Sequence, residues 1–425
     1  MPAPSGNPTR TGAHRPTVRW LISIFAATIL LQRLSLPGGI IPVLLVVVIA
    51  ACAYALLTGL MEFDRTRLSL YLLAAGLTAF AVVPQVLFIR DPLVSLTSWG
   101  LFMTIWAPAT LALVHRSRET LIAAFRGCFW WGLALGIAAV LMRLIQMAGV
   151  PYVDPLAFVV PPNLLVQGYV ITYPIEYGSE IYRSNAWVGL EPSIISLQLG
   201  VTLLLGLLLR MNVGWLAVVA AGIVCTVSGS GVFIALIGVA VMLFTPMRRS
   251  LWGYVIAGSV ALVLLLQTPA GQSLGRRATE ITLSGSSTSL RAIEPYRYLW
   301  PQWTADPHNV LFGLGAGSSQ KLVDATNRAG LLIPSPVKVF FDYGVVAGIA
   351  LAIFLVYCYY GAPSLSLAVS LFTSAWILQP GTTTFVLVAP TLIFVTWWAP
   401  RAAERIEVEP VTRLEATRPK VEVHL

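Results

Sequence analysis

Apolar residues run along this chain in long blocks, most of them broken only by small residues, prolines or short basic stretches. A helix crossing a bilayer needs about 20 largely apolar residues. The blocks predict helices over Trp20–Leu34, Gly38–Leu60, Leu68–Ile89, Leu93–Val114, Leu121–Met147, Leu190–Leu209, Val213–Val227, Gly231–Phe244, Leu251–Gln267, Pro336–Tyr360, Pro363–Leu378 and Thr384–Trp398. Hydrocarbon forces every backbone amide to be satisfied within the chain, which admits helices or a closed barrel. The ten-residue alternation of a barrel strand is absent. The expected fold is therefore an all-α polytopic membrane protein of about 12 transmembrane helices, with two long extracytoplasmic loops at about 149–190 and 268–335. Composition excludes the alternative of a water-soluble globule, with 57% hydrophobic and 11% charged residues and a mean hydropathy of +0.80.

The small cluster Ser228-Gly229-Ser230-Gly231 predicts a turn inside an otherwise continuous apolar run. Orientation supports that turn. Cytoplasmic loops carry the Arg/Lys excess, and Arg10, Arg15, Arg19, Arg65, Arg67, Arg116, Arg118, Arg210, Arg248, Arg249, Arg401 and Arg405 share one side only if the chain reverses there. Residues 1–19 then form a cytoplasmic N-terminal tail, 20–399 the membrane domain, and 400–425 a cytoplasmic tail expected to be disordered, since it mixes Arg, Glu, Pro and Val without periodicity. Arg33 and Arg143 fall near outer ends, where they are expected to reach lipid headgroups.

Orientation accounts for most of the net charge of +9, so nucleic acid is not an expected partner. The four cysteines fall inside proposed spans as apolar packing residues. There is no CxxC, no HExxH and no phosphate-binding glycine loop with a lysine, which argues against a metal site and a nucleotide-driven pump.

Chemistry concentrates at two places. Tyr182–Ser193 packs Arg183, Asn185, Trp187 and Glu191 ahead of a helix beginning at Pro192, where Glu191 reads either as a helix-capping acid or as a functional carboxylate near the membrane surface. The second loop carries Arg291, Glu294, Arg297, Trp300, Trp303, Asp306 and His308. From Leu290 to Trp303 a helical period puts Arg291, Glu294 and Tyr298 on one side. An arginine fork binds two phosphate oxygens at once, while a salt bridge to Glu294 is the plainer reading of Arg291. Lys338 and Asp342 are spaced for an intrahelical pair or a membrane-edge anchor. Trp300, Trp303, Tyr296 and Tyr298 serve equally to stack on sugars or to anchor at an interface.

Taken in order, Arg183 before the Glu191-Pro192 helix start, the Ser228–Gly231 break, Ser289-Leu290-Arg291, Asn309–Gly317 and Phe341–Gly348 resemble the O-antigen ligase/polymerase family over roughly residues 182–360. That resemblance implies a membrane glycosyltransferase, without metal or cofactor, in the bacterial cytoplasmic membrane. It would move a glycan from an undecaprenyl- or other polyprenyl-diphosphate carrier to a glycan or lipid acceptor outside that membrane, beside other polysaccharide-assembly proteins. Arg183 and Arg291 match the family arginines that hold the lipid diphosphate, and Arg297, His308 and Lys338 complete the expected substrate-binding set. Two departures stand out. The family has Ser-Arg where this chain has Ser228-Gly229, and a histidine where this chain reads Leu332–Lys338 with none. Glu191 is accordingly the expected catalytic base, with His308 as runner-up. A lipid-linked glycan flippase, another transporter, or a non-catalytic assembly component are the alternatives.

Overall fold

The computed structural model describes residues 13–39, 41–89, 93–175, 179–249, 251–256, 258, 267, 290, 293–325, 331–378, 384–399 and 405–407. Its helices are α1 (Arg15–Leu30), α2 (Val43–Leu57), α3 (Arg65–Pro84), α4 (Leu96–Trp106), α5 (Arg118–Met147), the short α6 (Pro155–Val159), α7 (Pro192–Leu208), α8 (Val213–Thr226) and α9 (Gly229–Leu243). Beyond the second loop's start come α10 (Glu294–Thr304), α11 (Pro307–Phe312), α12 (Ser318–Ala325), α13 (Ser335–Tyr357), α14 (Leu365–Phe372) and α15 (Phe385–Phe394).

Three of the described helices are long and apolar enough to cross a membrane, over Arg65–Leu87, Arg118–Met147 and Ser335–Tyr357. Six further apolar helices are shorter, including α2, α7, α8 and α9. The expected span 251–267 lies largely outside the described residues.

The bundle closes around α7, nearly all of whose side chains are buried. It packs against α5, α8 and α9. Lipid is as apolar as a leucine side chain, so helices in it associate through close backbone approach and hydrogen bonds. Gly231 meets the backbone of Ser196 closely enough to leave no room for a Cβ, and Ser196 Oγ donates to Ser228 O at 3.0 Å and accepts from Gly231 N at 3.0 Å. The expected turn is there: α8 ends at Thr226, Val227 adopts a left-handed φ of 48°, and α9 starts at Gly229.

Three expectations need correction. The helix expected to reach Val114 stops at Trp106. A 3-10 turn and a strand β2 (Leu111–Leu113) follow, pairing antiparallel with β1 (Met61–Phe63) across the intervening α3 and α4, so that the two short strands satisfy each other's amides. Arg33 does not reach headgroups: its side chain is 1% exposed and forks onto both Asp154 oxygens, at 2.7 and 2.5 Å. Arg143 donates to Cys225 O at 2.8 Å. The expected tail at 400–425 lies outside the described residues apart from 405–407, where Glu407, 1% exposed, accepts from Ser364 Oγ, Ser366 N and Ser366 Oγ at the start of α14.

The Arg33–Asp154 fork ties the first loop to the end of α1. Burial alone would raise the Asp154 carboxyl, but the Arg33 hydrogen bonds and charge, aided by the Leu156 and Ala157 amides, outweigh it and hold the group below the usual carboxylate range. A depressed folded-state pKa contributes stability that is present above the unfolded value, about 3.9, and lost as pH falls through the folded one. Thermal melting of the purified protein is therefore expected to lose stability on acidification below about pH 4. Asp154→Asn, which leaves Arg33 buried beside a neutral partner, is expected to cost about 3–5 kcal/mol already at pH 7 and to flatten that acid dependence. An unchanged melt at pH 7 would remove the clamp.

Candidate functional site

A cavity of about 480 Å³ opens where several helices begin. Its described walls come from Ser98 in the first turn of α4, Glu191 and Ser193 at the start of α7, Gly317 and Gln320 about α12, and Lys338, Asp342 and Tyr343 in α13. Thr384 caps the wall just before α15, and Tyr169 of the first loop crosses it. Phe102, Ile105, Ile333 and Leu387 supply apolar surface.

The α13 wall is set by a backbone lock. Gly313 (φ 75°, ψ 175°) and Gly344 (φ 71°, ψ −178°) lie in a region essentially reserved for glycine. They face each other so closely that a Cβ on Gly313 would sit 2.5 Å from Asp342 O, and one on Gly344 2.5 Å from Gly313 N. Across this contact Leu314 N donates to Phe341 O at 2.9 Å and Gly315 N to Asp342 O at 2.9 Å. The helix α13 kinks there because its own carbonyls are engaged by the neighbouring turn. The same turn reaches α4, where Ser95 N donates to Ala316 O at 2.8 Å.

One carboxylate then holds the loop to the helix. Asp342, 1% exposed, accepts from Gly317 N at 3.2 Å, Ser319 N at 3.0 Å and Ser318 Oγ at 3.3 Å. It also pairs with Lys338 Nζ at 3.2 Å, whose ammonium donates in turn to Ser319 Oγ at 3.3 Å. The intrahelical reading of Lys338 and Asp342 is thus the one adopted, with Asp342 buried in the wall and Lys338 half-buried beside it.

The α7 wall is set by the first loop. Ser184 N donates to Cys225 O at 3.1 Å and Ser184 Oγ to Ala139 O at 2.9 Å. Asn185 bonds the Tyr152 hydroxyl at 3.1 Å, and Leu190 N donates to Gln32 Oε1 at 3.1 Å. Between these anchors Ala186 and Trp187 take φ values of 51° and 59°, a left-handed region that costs non-glycine residues about 1–3 kcal/mol each. Glu191 follows this strained turn as the N-cap residue of α7, yet its side chain makes no capping hydrogen bond. It accepts from Ser193 Oγ at 3.0 Å and is half-buried in the cavity wall. Nearby, burial raises the Tyr169 phenol above its usual value; the hydrogen bond with Thr384 opposes that shift and the Glu191 charge adds to it.

Of the residues singled out from sequence, Glu191 and Lys338 meet in this cavity. Arg183 stands apart from its described lining; its guanidinium lies 5.4 Å from the centre of the Tyr173 ring and its amide donates to Tyr173 O at 2.8 Å. Arg297 and His308 are exposed, the latter against Phe312 in α11. Arg291 lies outside the described residues. Trp303 is 8% exposed and packs with Leu299, Val337 and Phe341 in a second small core, whereas Trp300 is 49% exposed. Sequence reasoning missed Tyr169, Ser98 and Gln320, which carry no motif; Asp342 had left a signal in its spacing from Lys338. Comparison with protein-family models, with curated proteins and with solved structures found no match.

The lock at Gly344 yields a test with an internal control. Gly344→Ala is expected to destabilise the purified protein by at least about 3 kcal/mol, because the strained φ and the backbone clash add. Gly76→Ala, whose added Cβ meets nothing within 4 Å, is expected to leave the melting temperature level or raise it. Equal melts for the two variants would contradict the lock.

Proposed function

We propose that this chain is a membrane glycosyltransferase. It moves a glycan from a polyprenyl-diphosphate carrier to a hydroxyl of a glycan or lipid acceptor on the outer face of the bacterial cytoplasmic membrane. The observation that carries this reading is convergence: three segments of the ordered motif set, Glu191-Pro192, Asn309–Gly317 and Phe341–Gly348, are distant in sequence and meet at one cavity. Chance resemblance gives no reason for such segments to pack together.

In this reaction the Glu191 carboxylate takes the proton of the acceptor hydroxyl, and that oxygen forms a bond to the anomeric carbon. The bond from that carbon to the carrier oxygen breaks, and its electron pair leaves with the diphosphate. Arg183 and Arg291 stabilise the departing charge, which grows as the bond breaks and so favours fixed guanidinium groups. Neither a metal nor a cofactor is invoked.

The proposed arrangement has twelve crossings with both termini inside. It is supported by contacts that gather the basic ends of helices: His14 stacks on His115 at 3.7 Å, Arg116 pairs with Glu62 at 3.0 Å, and Arg67 donates to Thr396 O and Ala399 O. Thiol labelling of intact cells is expected to reach a cysteine placed at 183 and to miss one at 210; the reverse pattern would invert the molecule.

A second reading, a lipid-linked glycan transporter, is favoured by one feature. The break in α13 at Gly344 beside buried Asp342 resembles the discontinuous helices of transporter sites. Mutants separate the two. Glu191→Gln keeps the size of the side chain and its bond from Ser193, and is expected to lower glycan transfer by purified protein at least about 100-fold, the scale of a general base. Arg183→Lys is expected to recover little of the loss in Arg183→Ala, since a point charge lacks the fork. Normal turnover in Glu191→Gln would remove it as the base, and normal turnover in both would remove the transferase mechanism.

A further inference from the structure

We infer that Arg143, in the last two turns of α5, is a further residue that holds the carrier's diphosphate, beside Arg183. This deepens the transferase reading and rests on it.

Packing puts the arginine where it is. The crossing of α5 and α8 is made by glycines: a Cβ on Gly222 would sit 3.0 Å from Gly136 Cα. Backbones this close let the longer Arg143, two turns further along, lean over the end of α8, where its Nη2 donates to Cys225 O at 2.8 Å. The stripe of α5 that carries Arg143 also seats the first loop. Ser184 Oγ donates to Ala139 O at 2.9 Å, and Tyr182 N to Gln146 Oε1 at 2.7 Å. Ser184 N donates to the same Cys225 O, at 3.1 Å. Arg183 therefore sits between two residues stitched to the face of α5 from which Arg143 projects.

Charge makes that arrangement a site. Arg143 is half-buried in a helix long and apolar enough to cross the membrane, where ionisable side chains are costly and mark function. Among the described residues no carboxylate pairs with it, and its one hydrogen bond goes to Cys225 O. The plainer role, satisfying the carbonyl end of α8, is one that Ser184 N already fills. A guanidinium has five N–H donors in a rigid fork, one of which is spent here, and none of its other nitrogens is a sealed atom without a partner. There is room for a ligand as well. Four residues beyond Cys225, Gly229 is exposed, and a Cβ there would meet nothing within 4 Å. In the proposed orientation this reversal faces outward with the loop that holds Arg183. A diphosphate, with acceptor oxygens on both phosphorus atoms, suits two arginine forks held on adjoining segments. An anionic phospholipid shares the phosphate chemistry but offers one phosphorus, and competition separates the two sources.

The test uses full-length protein purified in detergent, with the Kd for sugar-free undecaprenyl diphosphate and the melting temperature measured on each variant. Arg143→Gln is expected to weaken the carrier Kd at least about tenfold while melting within about 3 °C of wild type. A residue that only clamps α5 to α8 would give the reverse, a lower melt with the Kd kept. Arg143→Lys is expected to recover part of the affinity, since it restores charge without the fork. Should Arg143→Gln fold poorly or melt lower, Arg143→Lys decides alone, with a carrier Kd still weakened at least about threefold. Excess phosphatidylglycerol is expected to leave the carrier bound to wild type. A carrier Kd unchanged in the deciding variant, or displacement of the carrier by phosphatidylglycerol, overturns the assignment, while an Arg183→Ala variant that still loses carrier affinity keeps the transferase reading standing. A wild-type protein that neither binds carrier nor transfers glycan overturns that reading, and the assignment with it.

Discussion

The buried Asp342 carboxylate is the contact on which the site depends. Burying a carboxylate is expensive unless hydrogen bonds and a counter-charge replace its water. Here two amides, a hydroxyl and an ammonium do so. Each of these donors belongs either to the start of α12, with Gly317 just before it, or to the first turn of α13, so satisfying the charge also fixes the two segments together. The glycine lock two residues further along α13 works in the same direction, through shape rather than charge. Without Gly313 and Gly344 the backbones could not approach closely enough for Asp342 to reach the Gly317 and Ser319 amides.

The opposite wall is built on another principle. Glu191 is placed by a strained turn whose cost is offset by anchors on three sides: Cys225 O and Ala139 O behind Ser184, Gln32 ahead of Leu190, and the Arg33–Asp154 fork that also reaches Trp187 O at 3.3 Å. The strain leaves Glu191 at a helix start without using its side chain as the cap.

Much of the fold was legible because hydrophobic runs report burial directly, and the chain reversal at Ser228 was legible because small residues at that density break helices. The site was legible in pieces. Glu191 announced itself by its neighbours and Lys338 by its spacing from Asp342, but their meeting depends on contacts between positions about 150 residues apart, which periodicity does not encode. Arg33 was misjudged for the same reason: its partner Asp154 lies 121 residues away, so a local reading could offer it only lipid. The strand pair β1–β2 was hidden because Leu111–Leu113 continues an apolar run, and an apolar run of that length reads equally as the end of a helix. Tyr169 sits in a loop with no pattern at all, and only the closed structure brings it to Glu191.

The central claim is that the chain breaks a bond between glycan and carrier. Its most direct measurement uses wild-type protein in sealed liposomes with a lipid-diphosphate-linked glycan and an acceptor, following carrier and glycan together. The account predicts one released polyprenyl diphosphate for each new glycosidic bond, formed without nucleotide or ion gradient. Glycan that crosses the bilayer still attached to its carrier, with no diphosphate released, would contradict it and identify a transporter.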